Sequence, residues 1–274
     1  MPVALVTGCS SGFGEAIAVA FAQRGYQLVA TMRKPQAASP RLKALAADKA
    51  ADIVIAPLDV TSAVMRKDAI DLTVQRFGRI DLLVNNAGIT ARGAFEDTPE
   101  ELWRAIFETN LFGPLELIRL VLPVMRQQGA GRIINVTSVA AVLKTPLLAA
   151  YAASKHALDT ASAALDIETR SFGVRVACLM PGPFKTSLPH NSLDQDASVP
   201  YAAISKRFCA AFDAMEAKAP EDLTPVVNAA FFAATDPDPA IRYPAGTDSI
   251  AILPPILQSL APLQQLGLFL TGQT

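Results

Sequence analysis

The residues with the clearest chemical promise stand in "YAASK", Tyr151 to Lys155. A free tyrosine hydroxyl titrates near ~10 and a free lysine near ~10.4, so neither is a catalyst by itself at neutral pH. In a helix over residues 147–171, positions 151 and 155 are i and i+4 and share one face. An ammonium so placed favours the phenolate and lowers the tyrosine's pKa. A phenol tuned in this way passes a proton to or from an oxygen near neutrality. The spacing alone is common, so the pair needs a partner that carries the rest of a reaction.

A second stretch, "TGCSSGFG" from Thr7 to Gly14, supplies one. It follows the apolar run "VALV" and opens a helical pattern, with Gly8, Gly12 and Gly14 in a G-x-x-x-G-x-G arrangement. Glycine permits positive φ and lets backbone approach a pyrophosphate closely. The following helix presents N–H groups and a partial positive charge to phosphates. In a strand–turn–helix context this reads as a dinucleotide turn. Folds that bind NAD usually carry Asp or Glu about 20 residues later, bonded to the ribose 2′-hydroxyl. Here that count lands in "ATMRK", where no carboxylate stands and Arg33 and Lys34 follow Met32. Arg33 suits a 2′-phosphate through charge-assisted bonds, with Ser10 or Ser11 adding a hydroxyl. NADP(H) is therefore preferred. The alternative is that Arg33 is a solvated surface charge and NAD(H) is accepted too.

These residues must be positioned by buried strands and the helices between them. Six apolar runs lack polar alternation: "VALV", "QLVAT", "DIVIAPL", "IDLLVNN", "RIINVTS" and "RVACLMP". Such runs fit strands covered on both faces of a parallel sheet. Helical patterns lie between them. One runs from Gly14 to Arg24 and stops at Gly25. Another, "PEELWRAIFETNLFG", follows Thr98 as its expected cap. The order predicts an α/β fold: a single doubly wound Rossmann-type domain over residues 1–274, a central parallel sheet flanked by helices. Residues 1–135 form its dinucleotide-binding part and 136–274 its catalytic and substrate part. After Pro181 the pattern changes, and residues 183–220 are expected to form a helical substrate lid, with helices near 201–217 and 221–234. Whether the sheet resumes at "DSIAIL" or ends before it stays open.

The 274-residue chain is 51% hydrophobic and 18% charged, enough apolar material for a large core. A net charge of −1 removes any global basic field for nucleic acid. Cys9, Cys178 and Cys209 are far apart, as expected of buried or incidental thiols in a reducing cytoplasm. The only histidines, His156 and His190, are separated and no cysteine cluster exists, so no metal site is expected. His156 reads as structural, His190 in the lid region as a surface residue with substrate contact the alternative, and Trp103 as packing or interface. "MPVALVTG" is unlike a signal peptide. No run offers the ~20 apolar residues of a membrane span. The uncharged tail after Asp248 is broken by prolines; covering the pocket or packing on a second subunit suits it better than touching a membrane.

Taken together, these motifs resemble the short-chain dehydrogenase/reductase family, from about Pro2 to Thr186. Its TGxxxGxG turn matches Thr7, Gly8, Gly12 and Gly14, and "NNAG" stands at Asn85 to Gly88. Asp59 in "LDV" matches an acidic residue placed near the adenine. Asn110, Ser138, Tyr151 and Lys155 match a catalytic tetrad, and "PGPFKT" matches PGxxxT, with Thr186 placed to hold the carboxamide. The resemblance implies cofactor contacts from Gly8, Ser10, Ser11, Gly12, Phe13 and Gly14, then Arg33, Asp59 and Val60, then Asn86, Ala87 and Gly88, and finally Tyr151, Lys155, Pro181, Gly182 and Thr186. It also implies that Lys155 holds the nicotinamide ribose, that Asn110 bridges to Lys155 through water, and that helices carrying Asn110 and Tyr151 form a homodimer or homotetramer. Ser138, ending its strand, is placed to bond the substrate oxygen.

The expected reaction interconverts a ketone or aldehyde and an alcohol, with hydride on the cofactor and the proton on Tyr151. The substrate pocket is expected from Thr90, Arg92, Ser138, Val139, Val142, Leu143, Lys144, Leu147, Tyr151, Phe184 and Leu188. That lining suits a hydrophobic alcohol or ketone. "ATMR" and "RYPAG" look like the hydroxysteroid and retinol dehydrogenase branch, which points to a steroid-, retinoid- or aromatic-like molecule by analogy. Lys144 leaves open an anionic substrate. The competing readings are an NAD(H)-using dehydrogenase of a smaller or anionic hydroxy compound, C=C reduction or epimerisation, and a non-catalytic dinucleotide-binding protein.

Overall fold

The computed structural model describes residues 1–48, 52–143, 145–188, 197–247, 249–251 and 253. Seven strands pair in parallel in the order β3-β2-β1-β4-β5-β6-β7. They are β1 Val3–Val6, β2 Gln27–Met32, β3 Ile53–Pro57, β4 Leu82–Asn85, β5 Gly131–Val136, β6 Val174–Pro181 and β7 Arg242–Ala245. The order reverses at β1, which pairs with β2 on one side and β4 on the other. Ligands of doubly wound sheets bind in the crevice beyond the carboxyl ends of strands at such a reversal.

The strand runs lack polar alternation because both faces are covered. In β1, Ala4 and Val6 enter one core with Phe21, Ile17, Val226 and Ala230, while Leu5 enters another with Val29, Ile70, Leu117 and Val121. The first face is covered by α1 Gly12–Gln23, α2 Pro40–Ala47 and α8 Thr224–Thr235; the second by α3 Ala63–Phe77, α5 Gly113–Gln128 and α6 Ala149–Thr169. α1 stops where Gly25 takes φ +84. The seventh strand comes from "RYPA", so the sheet ends before "DSIAIL". A further helix, α7 Ala202–Lys218, lies outside both cores, and none of its residues is buried. None of the described helices is long and apolar enough to cross a membrane.

One helix start differs from expectation. α4, Glu100–Phe107, begins after Pro99, which as cap residue offers no side-chain acceptor, and the Thr98 hydroxyl donates back to Ala94 O at 2.8 Å. α4 then passes through a π-helical turn, Glu108–Phe112, before α5. Such turns are rare and widen the helix locally. This one carries Asn110, fully buried.

α6 meets the sheet through a stripe of buried polar side chains rather than a purely apolar one. Ser154, Lys155, Asp159, Ser162, Asp166 and Thr169 are all buried. Each has a partner on the sheet or an adjoining turn. Ser162 Oγ accepts from Asn135 Nδ2 on β5 at 2.8 Å, and Asn135 in turn accepts from Asn85 of β4. Asp159 takes a bidentate grip from Arg242 on β7, at 2.9 and 2.8 Å. Asp166 accepts from Arg170, from Arg175 of β6 and from Val176 N. Removing one side of a buried charged network leaves the other charge without compensation. Asp166→Ala is therefore expected to cost about 3–5 kcal/mol. Urea unfolding with an unchanged m-value would measure it; a loss below about 1 kcal/mol, the range of a surface pair, would contradict this account.

Candidate functional site

The turn between β1 and α1 is locked to the segment after β4. Asn86 Nδ2 donates to Thr7 O at 2.9 Å and to Gly8 O at 3.2 Å. Thr7 Oγ1 accepts from Asn86 N and Ala87 N at 2.9 and 3.0 Å. Gly8 has φ +72, and a Cβ there would meet Asn86 Nδ2 at 2.8 Å and Ala87 Cα at 2.9 Å. Gly14 serves packing: a Cβ would sit 2.3 Å from Asn86 Nδ2 and from Gly8 O, and the residue does not line the cavity beside it. Asp59 is aimed by its own turn, its Oδ1 accepting from Thr61 N and Thr61 Oγ1 at 2.9 and 2.7 Å.

These elements enclose a cavity of about 410 Å³ at the carboxyl ends of the strands. Fourteen of the expected cofactor contacts line it: Gly8, Ser10, Ser11, Gly12, Phe13, Arg33, Asp59, Val60, Asn86, Ala87, Gly88, Tyr151, Lys155 and Thr186. Pro181 and Gly182 do not; they line a second cavity next door. The first cavity also takes Met32, Leu58, Thr61, Thr109, Val136, Thr137 and Ser187, which sequence reasoning missed. Several of them adjoin a motif residue, which was the available signal. Ser11 Oγ and Ser187 Oγ lie 2.5 Å apart, joining the glycine turn to the segment after β6.

Ser138, Tyr151, Lys155 and Asn110 converge from three elements. Lys155 is buried and donates to Val136 O at 2.8 Å, and its ammonium lies 5.9 Å from the Tyr151 ring centroid. Asn110 Oδ1 accepts from Ile89 N at 2.9 Å, while Nδ2 donates to Ile89 O and to Ser154 Oγ at 2.8 and 3.1 Å. Gly88 lies between the two, since its Cβ would fall 3.2 Å from Asn110 Oδ1 and 3.5 Å from Lys155 Nζ. Ser138 Oγ accepts from Ala140 N at 3.1 Å and stands beside the Tyr151 hydroxyl, where it favours the phenolate. The electrostatics depart from the sequence expectation. Burial pushes the Tyr151 phenol above its ordinary value, and the Ser138 bond pulls only partly the other way. Burial also lowers the Lys155 pKa from 10.5 to about 8. In the protein alone, desolvation dominates both groups.

A second cavity, also about 410 Å³, opens on the far side of Tyr151. Ser138, Leu143, Tyr151, Phe184 and Leu188 line it as expected, with Thr90, Arg92, Val139 and Leu148. Two expected lining residues do not. Val142 packs against Ala141, Cys178, Met180 and Leu253, and Leu147, held at φ +61, turns its carbonyl to Gly93 N. Lys144, His190 and the tail beyond 253 lie outside the described residues, as do residues 189–196 of the expected lid. α7 adds Phe208, Ala211, Phe212, Met215 and Glu216, a contribution visible in the sequence only as an apolar helix face. Phe13 lines both cavities and meets the edge of Phe184 at 5.6 Å. His156 takes no part, its Nδ1 lying 2.7 Å from Ala141 O. Trp103 packs between Phe95 and Phe107. Among the described residues no cluster of His, Cys, Asp and Glu is placed to hold a metal.

Residues 2–197 match the family model described as short chain dehydrogenase. An uncharacterized oxidoreductase, YusZ of Bacillus subtilis, is 42% identical over 199 residues, covering 72% of this chain and 70% of that protein. A 3-ketodihydrosphingosine reductase of Bacteroides thetaiotaomicron is 34% identical over 189 residues, covering 69% of this chain and 66% of the reductase, just under two thirds of its length. Among solved structures, a short-chain dehydrogenase from Streptomyces avermitilis superposes with a TM-score of 0.84 at 32% identity, covering 100% of this chain and 98% of that one. Another from Burkholderia phymatum, in complex with NAD, does so with 0.80 at 25% identity, covering 96% and 95%. On the glycine turn, the converging Ser, Tyr, Lys and Asn, and a family match across most of its length, the chain belongs to the short-chain dehydrogenase/reductase family, oxidoreductases that bind a nicotinamide dinucleotide.

Proposed function

We propose that the protein is an NADP(H)-dependent oxidoreductase that interconverts a ketone or aldehyde and an alcohol on a hydrophobic substrate. One observation carries the reading: Tyr151 lines both cavities, with Lys155 on the dinucleotide side and Ser138 on the apolar side. A proton donor at that seam serves a reaction between molecules held in the two spaces.

The residues of the first cavity fit the dinucleotide. Gly8 and Gly12, both at positive φ, leave backbone open to it, and the amino end of α1 faces phosphates with unpaired N–H groups. Arg33 is exposed at the end of β2 with buried Met32 beside it, so nothing acidic there opposes a 2′-phosphate. Asp59 serves the adenine end, and Thr186 and Lys155 the nicotinamide end. NADP(H), when bound, supplies or accepts the hydride. A relative solved with NAD makes use of both dinucleotides the second reading.

In the reducing direction Ser138 donates to the carbonyl oxygen and fixes it against Tyr151. As the carbon gains hydride, the oxygen gains the proton of the Tyr151 hydroxyl, and C=O becomes CH–OH. A phenol held high by burial stays protonated until an oxyanion develops beside it, which suits a general acid. Lys155, near its own midpoint at mildly alkaline pH, is placed to return the proton. The second cavity, with Leu143, Leu148, Phe184, Phe208, Phe212 and Met215, suits an apolar substrate body, and residues 183–220 would act as its lid. A relative named as a 3-ketodihydrosphingosine reductase supports an apolar ketone.

Three outcomes test this. Tyr151→Phe should lower kcat with apolar ketones by about 10²–10⁴-fold, with little change in NADPH affinity by fluorescence titration. Near-wild-type turnover would sink the mechanism. Arg33→Asp should raise KM for NADPH and lower it for NADH, by at least about ten-fold in their ratio; an unchanged ratio would leave Arg33 as a surface charge. Lys155→Met should abolish most activity yet remove the cost of a buried ammonium. The native lysine binds fewer protons than the unfolded one between about 8 and 10.5, so the wild type gains stability as pH rises through that window. The melting advantage of the variant should be greatest below pH 8 and shrink towards 10.5. A pH-independent difference would contradict it.

A further inference from the structure

α7 contributes five residues to the apolar cavity, yet none of its own residues is buried. Its apolar side chains are only partly covered. Among the described residues its amino end is tied to one short segment after β4, while beyond its carboxyl end Lys185 bonds Pro220 O and Glu221. Tyr201, just before the helix, donates its hydroxyl to Glu96 Oε2 at 2.6 Å. Ser198 N donates to Asp97 Oδ2 at 2.9 Å. Further along, Arg92 lies 3.5 Å from Asp213 Oδ1, with its guanidinium 5.4 Å from the centre of the Phe212 ring. Phe212 is a wall of the cavity, and Arg92 lines it too.

We propose that Glu96 and Asp97 are positioning residues for the substrate: they hold the amino end of α7 so that Phe208, Phe212 and Met215 face the apolar cavity. The substrate part rests on the reading that this cavity takes a hydrophobic ketone or alcohol. Neither carboxylate lines either cavity, so both act through α7. Exposed polar contacts contribute little singly and are weakened by salt. A helix held by them is easily displaced when its cavity is empty. A hydrophobic body beneath it adds apolar burial that the helix otherwise lacks. Affinity for such a substrate then depends on residues that never touch it.

Cys209 lies on α7 and is partly exposed, while Cys9 and Cys178 are fully buried, so thiol labelling of the full chain reports on this helix. Labelling by a thiol reagent should accelerate about ten-fold in Glu96→Ala/Asp97→Ala and in Tyr201→Phe, the change expected when weak surface contacts are lost. Added salt should accelerate it in the wild type more than in the double variant. With cyclohexyl phenyl ketone as probe, KM should rise about ten-fold in the double variant while kcat, the NADPH dissociation constant and the melting temperature stay close to wild type. Unchanged Cys209 labelling would overturn the proposal. So would faster labelling with an unchanged KM, or a fall in kcat matched by lost NADPH affinity. If the wild-type protein reduces no ketone, the proposed function fails separately, and the labelling rates still decide whether these residues hold α7.

Discussion

The docking of α6 onto the sheet is the constraint on which the site depends. An apolar helix face can slide or rotate by a residue at little cost, because hydrophobic contact has no direction. A stripe of buried polar groups cannot. Lys155 must reach Val136 O, Ser162 must meet Asn135, Asp159 must meet Arg242, and Asp166 must meet Arg175. A slip of one position would leave several buried donors and acceptors without partners, each costing about 1–3 kcal/mol. That penalty sets the register of the helix and brings Tyr151 to the carboxyl ends of β5 and β6. Lys155 belongs to the stripe and to the candidate site at once, so positioning and chemistry share a side chain.

The site is a seam between two spaces of about equal size. Tyr151, Thr137, Phe13, Thr186 and Leu188 line both. The seam is assembled from the glycine turn, the end of β5, the start of α6 and the segment after β6. None of these makes it alone. The π-helical turn belongs to the same assembly: it places Asn110 where its amide closes on Ile89 and Ser154, with Gly88 leaving room beside Lys155. The two halves of the sheet differ in what they contribute. The turns after β1 to β4 supply most of the dinucleotide space, while the segments after β5 and β6 together with α7 supply most of the apolar one.

Much of this was legible in the sequence. The strand runs were readable because strands covered on both faces lose polar alternation, and a hydrophobic run needs no partner to be recognised. The glycine turn was readable because close backbone approach demands glycine at particular steps. "YAASK" was readable because helix periodicity puts its two reactive residues on one face. The seventh strand was not: "RYPA" is short, carries a charge and a proline, and is strand only because β6 pairs with it. The Thr98 cap was not realised because the helix starts one residue later, with Pro99 in the cap position, a boundary that local pattern does not reveal. Val142 and Leu147 were misplaced because which way a loop residue turns depends on the elements it packs against.

The sequence by itself determined the element order, the dinucleotide turn and the residue types able to move a proton, because these follow from local stereochemistry and period. The tertiary structure alone decided their electrical state and their company. Burial, a property of the whole fold, raises Tyr151 and lowers Lys155, reversing what the pair would do in isolation. Only the packed chain brings Ser187 to Ser11, Arg242 to Asp159 and Glu96 to Tyr201, since contacts between distant segments depend on how strands and helices stack and not on any spacing along the chain.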